Sequence, residues 1–96
     1  MAVLTDTLEG TIDGAVWYHY DLGNDVLYVR LACCRDVETV SEESPDGFLL
    51  LRRQDNGQVA GLTVVNWWKR FGQGELPGSI HELERWIEPW GRRLAA

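Results

Sequence analysis

Short turn-forming segments recur through the first two thirds of this 96-residue chain, and they constrain its fold more than any other feature. The strongest is Asp55-Asn56-Gly57, because Asn and Gly tolerate the positive φ angles that a tight hairpin turn requires. Residues 21–25 and 44–47 are similar segments between apolar runs. Connections this short leave no room for a crossover helix, so the sequence predicts an antiparallel β-meander.

The apolar pattern predicts four or five strands, the third of them weak, over residues 15–20, 26–31, 37–41, 48–53 and 58–65. In the second strand Leu27, Val29 and Leu31 alternate with other residues, which indicates that one side faces the core. A chain of this length has room for one core. We therefore expect a loosely ordered arm at residues 1–14 and a single α+β domain at 15–96. Within it, the sheet occupies 15–66 and a connector 67–78.

The C-terminal segment has helical periodicity. Ser79 lies three residues before Glu82, which is the spacing of a capping box at the start of a helix. Pro89 should end or kink the helix near Glu88, because its ring removes a backbone donor. The sequence predicts an amphipathic helix over residues 79–90 that packs on the sheet. Its apolar stripe consists of Ile80, Leu83, Trp86, Ile87 and Trp90.

The formal net charge is -6, and residues 36–46 contain acidic side chains and no base. A phosphate backbone would be repelled by this segment, so we do not expect nucleic-acid binding. The segment is either a solvated loop and edge strand or an acidic surface for a basic protein partner. In the second case Glu42 and Glu43 would contact the partner.

Two observations predict a cytoplasmic protein that does not enter a membrane. No apolar run approaches the roughly 18 residues of a spanning helix. The first ten residues contain no Lys or Arg and no continuous apolar stretch, unlike a secretory signal peptide.

The two cysteines, Cys33 and Cys34, are adjacent at the end of a predicted strand, where neighbouring side chains point to opposite faces. They lack the Cys-x-x-Cys spacing of redox and zinc sites. We therefore expect them to be ordinary core and surface residues.

Tryptophan is abundant, and four of the five, Trp67, Trp68, Trp86 and Trp90, lie in the last third of the chain. One interpretation is that all of them pack over the sheet. The other is that Trp67 and Trp68 point apart in a continuing strand, which leaves one exposed as an anchor for a partner or a second copy. Base stacking is disfavoured by the acidity of the chain.

The nearest approach to a catalytic or metal constellation is His19 with Asp21 and Asp25 around one hairpin tip. Strand alternation, however, places His19 on the opposite face from Tyr18 and Tyr20. Zinc sites need three or four compatible ligands, and the chain has neither a nucleophile-elbow serine nor a phosphate-binding glycine loop. We expect no metal and no cofactor, and the balance is against an enzyme.

Residues 16–65 contain Tyr20-Asp21, Asp25 and Leu27-Tyr28-Val29-Arg30-Leu31, and then a run from Asn56 through Gly57 and Gly61 to Leu62. In these motifs the chain resembles the small bacterial family DUF2283. The resemblance implies an antitoxin or accessory role beside a toxin-like protein. Where family members carry an Asp and a Glu, this chain has Leu51 and Thr63, so an acidic pair for metal or acid–base chemistry is absent.

The matched residues also have a structural explanation. Asp21 and Asp25 bracket a loop in which a carboxylate can accept backbone N–H groups. Gly61 inside a strand pattern indicates a bulge or a close backbone approach.

We therefore expect a non-enzymatic interaction protein that forms a homodimer. One alternative is an antitoxin-like or accessory protein that neutralises a basic partner through residues 36–46. Another is a small enzyme or metal-binding protein that uses the His19, Asp21 and Asp25 hairpin. That alternative requires a concave pocket with at least two convergent titratable groups.

Overall fold

A computed structural model describes residues 7–95, which form a six-stranded antiparallel sheet with a helix packed on one side. The α+β class is confirmed, whereas the predicted number of four or five strands is wrong. The strands are β1 (Thr7–Ile12), β2 (Val16–Asp21), β3 (Val26–Leu31), β4 (Thr39–Glu43), β5 (Leu49–Arg53) and β6 (Val59–Val65). The helices are a 3-10 turn (Ala32–Cys34), α1 (Trp67–Phe71) and α2 (Ile80–Ala95).

The additional strand, β1, lies in the segment predicted as a loosely ordered arm. It is an outer strand paired with β2, and Gly10 lies opposite Tyr18. A Cβ atom at Gly10 would be 2.7 Å from Tyr18 Oη, so glycine makes room for the buried tyrosine. This glycine interrupts the apolar alternation and hides the strand from pattern analysis. Residues 1–6 of the predicted arm lie outside the described residues.

The strand order is β1-β2-β3-β6-β5-β4, so the sheet consists of two three-stranded meanders joined between β3 and β6. A single meander would have placed β4 beside β3. Instead β6, whose residues from Ala60 to Val64 are all buried, occupies a central position. The strand at the outer edge of this half is β4, whose last three residues are the polar Ser41, Glu42 and Glu43. A central strand has a neighbouring strand along each of its edges, whereas an outer strand leaves one edge to water, which explains why the apolar β6 is central and the polar β4 is outer.

The helix α2 packs mainly across β1, β2 and β3, with Leu83 and Ile87 fully buried. Gly91 lies so close to the sheet that a Cβ atom there would be 2.6 Å from Ile12 Cδ1. Two residues of the predicted stripe are more exposed than expected, because Ile80 is 64% and Trp86 36% exposed. The buried side of the helix is thus narrower than the sequence pattern indicated.

Both the beginning and the end of α2 bear on the sequence prediction. Ser79 Oγ accepts a hydrogen bond from Glu82 N at 3.4 Å, as the capping pattern predicted. The helix does not end near Pro89 as predicted, because it continues to Ala95. Proline removes only one helical hydrogen bond, and Gly91 and Leu94 pack on the core beyond it. Within residues 7–95, neither α1 nor α2 is long and apolar enough to cross a membrane.

Candidate functional site

The side of the sheet opposite α2, called here the open face, carries no helix in the described part of the chain. Its surface is a shallow concavity of about 900 Å³. Strand alternation brings residues from five strands to it. These are Trp17, His19 and Asp21 from β2, Val26, Tyr28 and Arg30 from β3, Thr63 and Val65 from β6, Leu49 and Leu51 from β5, and Thr39 and Ser41 from β4.

The centre of the open face is apolar and partly exposed. Tyr28 is opposite Thr63, and Thr63 is opposite Leu49, so these three side chains form a row across the middle of the sheet. Tyr28 is 37% exposed and Val65 is 45% exposed. Leu49 is half-buried, as is Leu51 in the next row. Water therefore contacts large apolar groups here, which is typical of a surface that a partner covers.

A long arginine crosses this surface. Arg30 on β3 donates from Nη1 to the carbonyl of Arg35 at 2.6 Å and from Nη2 to Thr39 Oγ1 at 2.9 Å. The space beneath it exists because residue 61 has no side chain. The register between β5 and β6 shifts beside Gly61, which confirms the predicted bulge or close approach at that residue.

At the β1 end of the open face, charged and aromatic groups are layered. The Arg35 guanidinium carbon lies 4.5 Å from the centroid of the Trp17 ring. His19 Nδ1 is 3.4 Å from Glu9 Oε2, and the His19 ring contacts both Trp17 and Tyr28. The Trp17 indole N–H is buried without a hydrogen bond of regular geometry. It nevertheless lies near enough to Glu9 to lower the pKa of that carboxyl, and His19 adds to the effect.

The predicted hairpin constellation is only partly assembled. His19 and Asp21 line the concavity together with Arg30, as the enzyme alternative required, but Asp25 does not. The three side chains make no hydrogen bond with one another in the described structure. Asp21 instead accepts two hydrogen bonds from Asn24, one from the side chain and one from the backbone N–H. Both bonds lower the pKa of Asp21, and the side-chain bond has the larger effect. Residues 7–95 contain no cluster of three His, Cys, Asp or Glu side chains that could hold a metal ion.

Asp25 has a structural role at the other side of the sheet. Its Oδ1 accepts hydrogen bonds from Tyr20 Oη at 2.5 Å and from Trp68 N at 2.8 Å, and its Oδ2 accepts one from Lys69 N at 3.0 Å. The pKa of Tyr20 is raised mainly by burial and to a lesser degree by the hydrogen bond to Asp25. The carboxylate thus joins the β2–β3 loop to the first turn of α1.

The expectation that Trp67 or Trp68 is exposed as a partner-binding residue is wrong in its premise. Trp67 is 1% and Trp68 9% exposed. The prediction assumed a strand, in which adjacent side chains diverge, but α1 is helical and turns both indoles into the core. The two rings contact each other, and Trp68 Nε1 donates to Gly74 O at 2.9 Å. On the open face the large aromatic residues are Trp17 and Tyr28 instead, and the strand alternation around Tyr18 and Leu27 could have identified them.

Glu42 and Glu43, the acidic candidates, are exposed on the outer strand β4. Glu42 forms an ion pair with Arg52 on the neighbouring strand. Arg70 approaches the acidic segment from α1 and donates to the carbonyls of Asp46 and Gly47. The negative charge of residues 36–46 is therefore partly compensated by arginines packed beside it.

Comparison with protein-family models, with curated proteins and with solved structures finds no match. The resemblance to DUF2283 stays a prediction. In this chain its motif residues Tyr20, Asp25 and Gly61 have the structural contacts given above.

Proposed function

We propose that this protein is a non-enzymatic interaction protein that acts as a homodimer, with the open faces of two copies packed against each other. The observation that carries the proposal is the uncovered apolar centre of the sheet around Tyr28, Val65, Leu49 and Leu51. Burying such groups between two copies removes them from water, and this is the main driving force of association.

The dimensions of the open face suit a dimer. Strands spaced about 4.8 Å apart and about 17–20 Å long give six strands a face of roughly 500 Å² in projection. Two such faces bury about 1,000 Å² or more, which is the size of the smaller, transient protein interfaces. A dimer of weak affinity that exchanges with the monomer is therefore expected.

The charges around the open face also suit a second copy. Glu9 and Glu43 carry negative charge at the margins, and Arg35 lies beside Glu9 at the β1 end. Arg30 carries positive charge nearer the centre. A surface with both signs can pair with itself without the repulsion that a uniformly acidic face would cause. A strongly basic partner has less complementarity with this mixed face than with the acidic segment.

Sedimentation equilibrium over a range of protein concentrations tests the proposal. We expect a mass that rises from monomer to twice the monomer and then stops, because packing face against face closes the assembly. A monomeric mass at all concentrations would overturn the proposal.

A second candidate function is the neutralisation of a basic protein partner through residues 36–46, as an antitoxin or accessory protein. The observation in its favour is that four consecutive residues of the outer strand, from Val40 to Glu43, are exposed. An outer strand has unpaired backbone groups to which a partner strand can add. Stoichiometric co-purification of a basic protein, lost on the double substitution Glu42→Lys and Glu43→Lys, would support this candidate. Retention of the protein by the double variant would argue against it.

A further inference from the structure

The two cysteines lie closer together than the sequence indicated. The prediction that their side chains point to opposite faces is wrong, because residues 32–34 form a 3-10 turn instead of the end of a strand. Cys33 Sγ and Cys34 Sγ are 3.2 Å apart and share a hydrogen bond. Two thiolates bound to one tetrahedral zinc ion would be about 3.8 Å apart, so these two sulfur atoms are closer together than in a zinc chelate. The distance lies between that value and the roughly 2.05 Å of a covalent disulfide.

The two sulfur atoms differ in their surroundings. Cys33 is exposed, whereas Cys34 is buried, with 3% of its surface accessible. Arg53 Nη1 donates to Cys34 Sγ at 3.6 Å. Asp55 holds this guanidinium in place with two hydrogen bonds, of 2.9 Å and 2.7 Å. One thiol can therefore meet a reagent from solution, and the other has a fixed positive charge beside it.

We propose that Cys33 and Cys34 form a reversible dithiol redox site that reacts with small-molecule disulfides of the glutathione type. In the first step the Cys33 thiolate attacks one sulfur of the external disulfide, forms a mixed disulfide and releases one thiolate. In the second step Cys34 attacks Cys33 Sγ, closes the internal disulfide and releases the second thiolate. The protons lost by the two cysteines go to the two released thiolates, so two thiols are oxidised and one disulfide is reduced.

The surroundings of each sulfur assign the order of the steps. Cys34 is buried and has no route to a bulky reagent, so Cys33 must react first. The hydrogen bond with Cys34 raises the pKa of Cys33, which lowers the fraction of reactive Cys33 thiolate at neutral pH and slows the first step. In the second step Arg53 lies beside the sulfur that must carry negative charge as it attacks.

The internal disulfide should be easy to reduce. Adjacent Cα atoms are about 3.8 Å apart across a trans peptide, whereas disulfides usually join Cα atoms about 4.4–6.8 Å apart. The ring formed by neighbouring cysteines is therefore strained, and strained disulfides are the readily reduced ones. This property suits a reversible site better than a structural cross-link.

Intact-mass spectrometry of the reduced protein after incubation with oxidised glutathione tests the proposal. We expect the wild-type protein to lose two hydrogen atoms, to retain no glutathione and to regain the hydrogens with excess reduced glutathione. Cys34→Ser should stop at a stable glutathione adduct on Cys33, and Cys33→Ser should react little. A lasting adduct on the wild-type protein, two thiols still open to alkylation, or a disulfide between two chains would overturn the proposal.

The role of Arg53 is tested by the rate of ring closure, measured after rapid alkylation of the remaining thiols. We expect Arg53→Gln to slow the second step severalfold and Arg53→Lys to restore much of the rate, because lysine keeps the charge. A merely structural role for Arg53 would leave the ratio of the two steps unchanged. Equal closure rates in the wild type and Arg53→Gln would remove Arg53 from the site.

Discussion

Arg30 lies directly over Gly61 on the open face. A Cβ atom at Gly61 would be 2.8 Å from Arg30 Cγ and 2.5 Å from the carbonyl oxygen of Val29. The arginine can bend away, but the carbonyl belongs to the neighbouring strand and cannot move without disturbing the β3–β6 pairing. The missing side chain at residue 61 is therefore what allows β3 and β6 to join the two halves of the sheet.

Gly61→Ala should destabilise the protein by about 1–3 kcal/mol, because the added methyl group overlaps a backbone atom that is held in place. Chemical denaturation measures the change in free energy of unfolding. Gly78→Ala is the matched control, since a Cβ atom there has no neighbour within 4 Å. Equal stability of the two variants would contradict this account of Gly61.

Val65→Glu should weaken the proposed dimer at least about tenfold, or ~1.4 kcal/mol, because the new carboxylate would be buried without a partner. Sedimentation analysis gives the dissociation constant. Val40→Glu is the control, because Val40 is equally accessible, 51% against 45%, but points to the other side of the sheet. If both substitutions weakened association to the same degree, the open face would not be the interface.

Asp25→Asn should cost about 1–2 kcal/mol of folding free energy. The substitution replaces charge-assisted hydrogen bonds to Tyr20, Trp68 and Lys69 with weaker ones. Asparagine tolerates the left-handed conformation at this position, where φ is 55°, so backbone strain does not confuse the result. Asp13→Asn is the control, with φ of 53° on an exposed turn, and it should leave the unfolding midpoint nearly unchanged. A similar loss in both variants would argue against the role of Asp25 in holding α1.

Stability should fall as the pH rises above about 10. Burial, followed by the hydrogen bond to Glu84, raises the pKa of Tyr18, and Tyr20 is affected in the same way by burial and Asp25. In the unfolded chain a tyrosine ionises near about pH 10. The stabilisation from the raised pKa values is thus fully present below that pH and is lost above it, as the unfolded state releases protons first.

Denaturation curves between about pH 8 and about pH 11, on either side of the tyrosine pKa, measure this effect. The double substitution Tyr18→Phe and Tyr20→Phe should lower stability at neutral pH and reduce its decline in alkali. A decline as steep in the double variant as in the wild type would assign the alkaline loss to other groups.

The parts of the fold that local chemistry determines could be predicted from the sequence. The strand at 26–31 was predicted with its observed bounds, because turn residues flank it and the buried Leu27 and Val29 alternate with partly or fully exposed residues. The order of the strands could not be predicted, because it depends on which strands are apolar enough for the centre of the sheet. The additional strand β1 was missed because Gly10 is required by its neighbour Tyr18, a contact that only the folded sheet reveals.

The candidate site shows the same division. Alternation along β2 correctly separated His19 from Tyr18 and Tyr20. The exposed-tryptophan interpretation assumed that a strand continues through Trp67 and Trp68. The carboxylate of Asp25, which lies 43 residues before Trp68, instead stabilises a helical turn in the predicted connector. The open face itself was missed, since its residues come from five separate strands and meet only when β6 joins β3.

The pairing of β3 with β6 is the long-range step in the folding of this sheet. Hairpins within each half of the sheet close loops of only a few residues, whereas the junction must bring together segments separated by the whole of β4 and β5. Closing a loop of this length lowers the entropy of the chain before the contacts between β3 and β6 can stabilise the pairing. We expect docking of the two halves to limit the folding rate, so that substitutions at this seam slow folding more than those in the outer hairpins.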